Sequence, residues 1–471
     1  MTVGTTPPSP SAVRHQVLWL VCALSALTYL DRVCFAAAGP QLVSDLGLKS
    51  EADLKLAFTA FAVAYAIFEV PSGWWGDRFG PRRVLIRVVV LWSLFTVATG
   101  FVGLAVGGVV LGGLGALAVL RFLFGAGEAG AYPNIARVVH TWFPESERGT
   151  AMGRVWMAGR LIGGLTPLLW LLLVVGTPRT APLMSWRVAF GLFGFLGVGW
   201  CVVFARRFRD SPARHPGVTA AERDVIAAGR GPDPSHHAVP WRRILFNRNL
   251  LALFAMYFAV TYGWYFYVTY LPSCLETGYG VSPTSTVGAL YKGAPLWFGA
   301  VGCLVGGFVT DRLLRRGLGR RWARRWPGAV GLALSAACYA VAAVVPQAWM
   351  FALAVGFSAF FTDVMIGSAW SSCQDIGGRH TGVVAGCMNT AGSCGAAAAG
   401  WFSGVVLDRS LAARAGELGT AVADLPAADR TAALLAGYQT NLWIFAAVTT
   451  AAAALWFAID ADRPLEPATG H

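Results

Sequence analysis

Long apolar runs, each ended by a short polar or basic stretch, recur along almost the whole chain. They fall near residues 16–38, 54–75, 84–103, 108–136, 150–175 and 186–205, and again near 248–271, 285–310, 327–345, 348–369, 380–405 and 438–459. About 18 or more apolar residues make a helix long enough to cross ~30 Å of hydrocarbon. The pattern therefore predicts an all-α membrane protein of twelve transmembrane helices in two six-helix bundles. The polar punctuation sets the expected domains. These are a Pro/Ser/Thr-rich disordered tail over 1–14, an N-terminal bundle over 15–205, a linker over 206–247, a C-terminal bundle over 248–460 and a short tail over 461–471.

Composition narrows the class. The chain is 56% hydrophobic and only 13% charged, whereas a soluble domain carries about a quarter charged residues. No soluble fold could cover this much apolar surface. The first run superficially resembles a signal peptide, but it is too long, contains Asp31-Arg32 and lacks a small-residue cleavage site, so it reads as a retained helix. The net charge of +13 comes from arginines between the runs: Arg78, Arg82 and Arg83 after the second, several in the linker, and seven in DRLLRRGLGRRWARR after the eighth. The opposite loops are short or balanced in charge, which places the linker and both tails in the cytoplasm and explains the basicity without nucleic acid. The nine cysteines lie mainly in apolar runs without a CxxC, as small hydrophobes do, and the seven histidines fall in tails, loops or helix ends. That excludes a metal site by spacing and argues against a histidine proton relay.

An internal repeat supports two related halves. Gly73-Trp-Trp-Gly-Asp77-Arg78-Phe-Gly80-Pro81-Arg82-Arg83 recurs 234 residues later as Gly307-Phe-Val-Thr-Asp311-Arg312-Leu-Leu-Arg315-Arg316-Gly317. The glycines permit close helix approach and the arginines suit an anionic inner leaflet. Asp77 is placed to face a helix N-terminus or an arginine of the other bundle and so hold one conformation shut. The alternative is a topology determinant alone.

This loop, present twice, resembles the signature loop of the major facilitator superfamily. More specific matches are Tyr29-Leu-Asp31-Arg32, Ala60-Phe61-x-x-x-Tyr65 leading to Pro71-Ser-Gly73, Arg121-Phe-Leu-Phe-Gly125-Ala-Gly127-Glu128 running on to Pro133-Asn134, and Trp142-Phe-Pro144 with Glu147-Arg148-Gly149. Together these resemble the anion:cation symporter family of sugar-acid carriers (galactonate, hexuronate) and sialin-like carriers. The resemblance spans essentially the whole chain and implies proton-coupled uptake of a small organic anion by alternating access. It departs at Glu69, where many relatives carry Gln, and at Val33-Cys34.

A charge within the hydrocarbon region costs several kcal/mol unless paired or hydrated, so each is a functional candidate. Arg121 and Glu128 stand seven residues apart, on nearly one helix face and about 10.5 Å along the axis. Arg32 and Arg121 are read as ligands of the substrate carboxylate, since a guanidinium fork matches two oxygens. Asp31 and Glu128 are read as proton carriers. The alternative is a structural network of buried ion pairs. Tyr29 and Tyr65 are candidates for the hydroxyls of a sugar acid, or plain packing. By resemblance, Ser368, Trp370 and Asn389 would be substrate contacts. Glu69 suits a gate pairing, Lys292 snorkels, and Arg160 and Asp363 have no assigned role, although a second anionic group on the substrate would give Arg160 one.

No G-x-x-x-x-G-K-[ST] phosphate loop and no nucleophile–base set is present, so the sequence predicts no enzyme and no ATP-driven transport. No cofactor or metal is expected beyond the coupling proton, and the partners are the bilayer, protons and a small organic anion, bound by a monomer. Thirty-four arginines against three lysines suggest GC-rich coding and a bacterial inner membrane. The rival reading is a proton-driven drug or metabolite exporter of the same fold. Such exporters carry a G-P-x-x-G-G element where this chain reads Gly159-Arg160-Leu-Ile-Gly163-Gly164.

Overall fold

The structure, a computed structural model, describes residues 11–48, 51–106, 109–176, 181–228, 239–282 and 285–466. Most of the expected N-terminal tail, the GRGPDPSHH run of the linker and the end of the C-terminal tail lie outside the described residues.

The first six long helices are α1 (Val13–Ala37), α2 (Lys55–Phe79), α3 (Pro81–Thr99), α4 (Leu114–Trp142), α5 (Arg148–Trp170) and α6 (Trp186–Arg207). The second six are α7 (Arg248–Thr269), α8 (Thr286–Arg315), α9 (Arg320–Val344), α10 (Ala348–Gly377), α11 (Thr381–Leu418) and α12 (Ala427–Leu455). Ten stretches of the described residues are long and apolar enough to span a membrane. One of them, Ala348–Leu418, runs for 71 residues and contains both α10 and α11. A single straight helix of that length would extend about 107 Å, far beyond one bilayer. The 3-10 turn at Gly378–His380 breaks it into two passes. Helix α3 is not among the ten because Arg82, Arg83 and Arg87 crowd its first two turns, whereas the rest of its 19 residues is apolar apart from Ser and Thr. With these two adjustments the ten stretches become the twelve expected passes.

Local chemistry sets the boundaries. Helix α2 stops at Gly80, whose φ of +86° favours glycine, and Pro81 opens α3 at its first position. The second half is drawn together by glycine contacts: a Cβ added at Gly302 or Gly306 of α8 would come within 2.2 or 1.9 Å of the Phe360 or Val364 carbonyl oxygen of α10. Such backbone proximity replaces the hydrophobic driving force that lipid cannot supply.

Several helix boundaries differ from those expected, as at α12, which begins at Ala427 where the pattern put it near 438. The fourth helix, expected from 108, begins at Leu114, and the apolar residues before it form an antiparallel hairpin of β1 (Leu104–Val106) and β2 (Val109–Leu111). Glycines at 103, 107, 108, 112 and 113 penalise a helix there, and the intervening valines and leucines suit strands. Helix α11 runs on to Leu418, past the expected end at 405. The linker carries two short helices, Ala220–Ala227 and Trp241–Phe246. In the first of these, buried Glu222 accepts from the backbone N–H groups of Val13 and Arg14 at 3.3 and 3.1 Å, capping the otherwise unpaired donors that open α1.

The chain packs as two compact units. The first comprises Met1–Trp241 with Cys373–Cys387 and Arg463–His471, and the second Arg242–Ser372 with Met388–Asp462. The α10–α11 turn is thus part of the first unit.

Candidate functional site

In the first unit, α2 and α4 meet at Gly125, where an added Cβ would lie 2.5 Å from the Phe61 carbonyl oxygen. This close approach brings Phe61 and Tyr65, one turn apart on α2, beside Arg121, Phe124 and Glu128 of α4. Asp31 and Arg32 come from α1. Arg32 Nε donates to Glu128 Oε1 at 2.8 Å, and the Arg32 guanidinium lies over the Tyr65 ring at 4.4 Å from its centroid. Glu128 is fully buried.

Arg121 is held differently. Its guanidinium sits 4.0, 4.6 and 4.8 Å from the ring centroids of Phe35, Phe124 and Phe61. The residue is 4% exposed, and its buried Nε has no hydrogen-bond partner among the described residues. Asp31 is also buried, and its Oδ1 has no hydrogen-bond partner there either. Its charged neighbours are Glu128 and Arg121. One direct ion pair therefore forms, Arg32–Glu128, and Asp31 and Arg121 make no salt bridge among the described residues. A cation faced by three rings is attracted by their quadrupoles, while its N–H donors keep the capacity to bind an anion.

Tyr29 lies to one side of this cluster. Its ring fits over Gly159 and Gly163 of α5, where added Cβ atoms would approach it to 2.6 and 2.8 Å. Its hydroxyl accepts from Arg160 Nη1 at 2.5 Å. Ser25 and Tyr132 share a hydrogen bond at 2.9 Å, and Tyr132 stacks on Trp156 with centroids 4.3 Å apart. Sequence reading missed Arg160 as the partner of Tyr29. The Gly-x-x-x-Gly spacing of 159 and 163 was the available signal.

The second-half candidates lie in their own unit. The hydroxyls of Ser368 and Thr310 share a buried bond at 2.7 Å. Trp370 is fully buried and edge-on to Tyr257 at 6.1 Å. Asn389 is half-buried. Lys292 pairs with Glu276 at 2.5 Å, and fully buried Asp363 lies against Gly299.

The two signature copies are built differently. Asp77 accepts from the Gly382 and Val383 backbone N–H groups at 2.9 and 2.8 Å, in the first turn of α11, and has Arg137 Nε at 3.7 Å. Arg137 in turn donates to the Gly378 and Arg379 carbonyl oxygens at 3.4 and 3.1 Å. An acid meets the N-terminus of α11 and a base meets the carbonyls of the turn before it, the complementary arrangement for both helix ends. Gly73 and Gly382 touch through backbone, and an added Cβ on Gly73 would come within 2.1 Å of the Gly382 oxygen. Buried Arg148 and Asp375 pair at 2.8 Å, Leu465 N–H donates to the Ile376 oxygen at 2.8 Å, and Glu466 pairs with Arg379. Among the other loop residues, Arg78 lies over Trp74, Arg82 donates through its backbone to Asp210 at 2.8 Å, and a Cβ on Gly80 would meet that carboxylate. In the second copy, Asp311 pairs with Arg324 at 3.2 Å, both buried, and Arg312 lies over Phe308. The pairing of Arg148 with Asp375 and the contact of Arg137 with the 378–379 carbonyls escaped sequence reading because the partners are more than two hundred residues away along the chain.

Comparison with known proteins agrees with this architecture. A probable sulfoacetate transporter of Cupriavidus necator is 36% identical over 83% of this chain and 86% of its own. The D-galactonate transporter of Escherichia coli is 29% identical over 84% of this chain and 89% of its own. A bacterial homologue of the human lysosomal transporter Spinster, solved inward-facing and occupied, superimposes with a TM-score of 0.60 at 18% identity, over 95% of this chain and 97% of that one. The sequence pattern of the Major Facilitator Superfamily matches residues 21–400. This multi-pass membrane protein, related to bacterial transporters, belongs to the Major Facilitator Superfamily.

Proposed function

We propose that this protein is a secondary active symporter that carries a small organic anion together with protons across a bacterial inner membrane, by alternating access. The observation that carries this reading is Arg121, a buried guanidinium held by three phenylalanine rings beside Asp31, with no carboxylate in salt-bridge contact among the described residues. A buried cation is costly without a counter-charge, and an arriving oxyanion supplies one. The names of the relatives, a sulfoacetate transporter and sugar-acid transporters, support a substrate of that class.

Arg32 and Arg121 would take the anionic group of the substrate, Tyr29 and Tyr65 its hydroxyls, and Asp31 and Glu128 the coupling protons. The anion competes with Glu128 for Arg32 and adds negative charge near Asp31, and both effects favour proton uptake by the carboxylates. Proton and anion then bind cooperatively, and the loaded carrier closes with little net buried charge. The contacts of Asp77, Arg137, Arg148 and Asp375 around the α10–α11 turn would form in one state of the cycle and part in the other.

The test is uptake of labelled sulfoacetate, D-galactonate and D-glucarate into proteoliposomes with and without an imposed pH gradient. Accumulation of one of them that requires the inward-directed proton gradient supports the reading, and carriage of none removes it. For orientation, a reporter fused near residue 225 should report the cytoplasm and one near 420 the outside. Opposite results at both positions would overturn the topology.

A further inference from the structure

Arg32 and Arg121 both border the Phe61 ring, and two guanidiniums in one low-dielectric site repel each other strongly. Arg32 has Glu128 as its counter-charge, at 2.8 Å. Arg121 makes no salt bridge among the described residues. One side chain touches both cations. The Phe61 ring centroid is 5.4 Å from the Arg32 guanidinium carbon and 4.8 Å from that of Arg121. The ring is itself fixed: it contacts Tyr65 and Phe124, with centroids 5.6 and 5.8 Å away, and its backbone oxygen is pressed against Gly125. Phe61 is thus anchored through its backbone where α2 meets α4, with its ring against a ring from each helix.

We propose that Phe61 is the positioning residue of the anion site, its one ring bound to both guanidiniums and holding Arg32 and Arg121 as a single receptor for an oxyanion. The inference rests on the reading of these arginines as the anion ligands. It assigns binding energy to a side chain without charge or hydrogen-bonding group. The negative face of the ring offsets part of the repulsion between the cations. It also fixes their spacing before the anion arrives, so that less order is lost on binding.

The full-length protein in proteoliposomes tests this with the anion it carries from the set sulfoacetate, D-galactonate and D-glucarate. Phe61→Leu should raise KM about tenfold with a smaller change in maximal rate. Phe61→Tyr, which keeps the ring face, should stay within about twofold of the parent. If Phe61→Leu does not fold, replacement of Phe61 by mono-, di- and trifluorophenylalanine keeps the shape and drains the ring face stepwise, and log KM should climb with each fluorine. A KM that is flat across the fluorinated series overturns the proposal, because a purely structural ring would give that result. Arg121→Ala separates the two levels of inference. If it abolishes binding while the fluorinated series is flat, only the role of Phe61 is lost. If it binds and carries the anion normally, the arginine is structural and both readings fall.

Discussion

The membrane cores of the two units differ in the polar groups they cluster. The first unit buries Asp31, Glu69, Arg121, Glu128 and Arg160, and leaves polar atoms of Asp31, Arg32, Arg121 and Glu128 without hydrogen-bond partners among the described residues. In the second, Tyr267 donates to Ser358, Ser358 and Ser335 share a bond at 2.9 Å, and Ser335 reaches Thr362 at 2.7 Å. Tyr339 stacks on Tyr267 and donates to the Gly263 oxygen. Neutral hydroxyls satisfy one another cheaply in a dry core, whereas an unpartnered charge is expensive wherever it persists. The difference teaches where to look for ligand chemistry. This hydroxyl network is complete in itself, and the buried hydroxyls of Ser371, Ser372 and Ser403, unpartnered among the described residues of the second unit, are neutral, whereas the unpartnered atoms of the first cluster belong to charged side chains.

The sharpest break of this comparison is neutralisation of the first core. Asp31→Asn and Glu128→Gln mimic protonated carboxylates permanently. Either change should abolish accumulation against a gradient while leaving exchange of labelled substrate, read as counterflow without a pH gradient. If both variants still accumulate substrate in response to the pH gradient, the proton travels elsewhere, with Glu69 and Asp363 next to test.

The largest effect on affinity belongs to Arg121→Lys. A charge-assisted hydrogen bond contributes roughly 1.5–3 kcal/mol, and an ammonium reproduces neither the fork nor the flat surface that stacks between rings. Substrate affinity should fall about ten- to hundredfold in a direct binding measurement. Parent-like affinity would show that a point charge is enough.

The signature copies give a third contrast. Asp311→Asn leaves buried Arg324 without its carboxylate, which should cost about 3–5 kcal/mol of stability and lower the midpoint of thermal unfolding in detergent. Asp77→Asn keeps one acceptor oxygen for the first turn of α11, so its stability should change by only about 1 kcal/mol while its transport rate falls several-fold. Equal unfolding midpoints in the two variants would erase the distinction between the copies.

The smallest effect belongs to Ser368→Ala. It removes one hydroxyl bond, to Thr310, worth about 1 kcal/mol, and should shift the unfolding midpoint by a degree or two with KM unchanged. A raised KM would instead return Ser368 to the substrate.

The sequence by itself determined the solvent. Twelve apolar runs, arginine-loaded loops and a repeated G-x-x-x-D-R segment require a polytopic helical membrane protein, because hydrocarbon forbids unpaired backbone groups and only a helix satisfies its own. It also marked the charged residues of the first core, since any charge inside an apolar run stands out against its neighbours. Periodicity could not separate strand from helix in the glycine-broken residues before Leu114. Nor could it show that Arg32 takes Glu128, that Arg121 rests among Phe35, Phe61 and Phe124, or that Asp77 meets the first turn of α11. Apart from Arg121 on Phe124 of its own helix, each of those contacts joins residues tens to hundreds of positions apart. Which helix faces come together is settled by where glycines let backbones touch, as at Gly125 against Phe61 and at Gly73 against Gly382. Burial energy is nearly indifferent among apolar faces in lipid, so only the tertiary packing decided which charges met and which were left for a ligand.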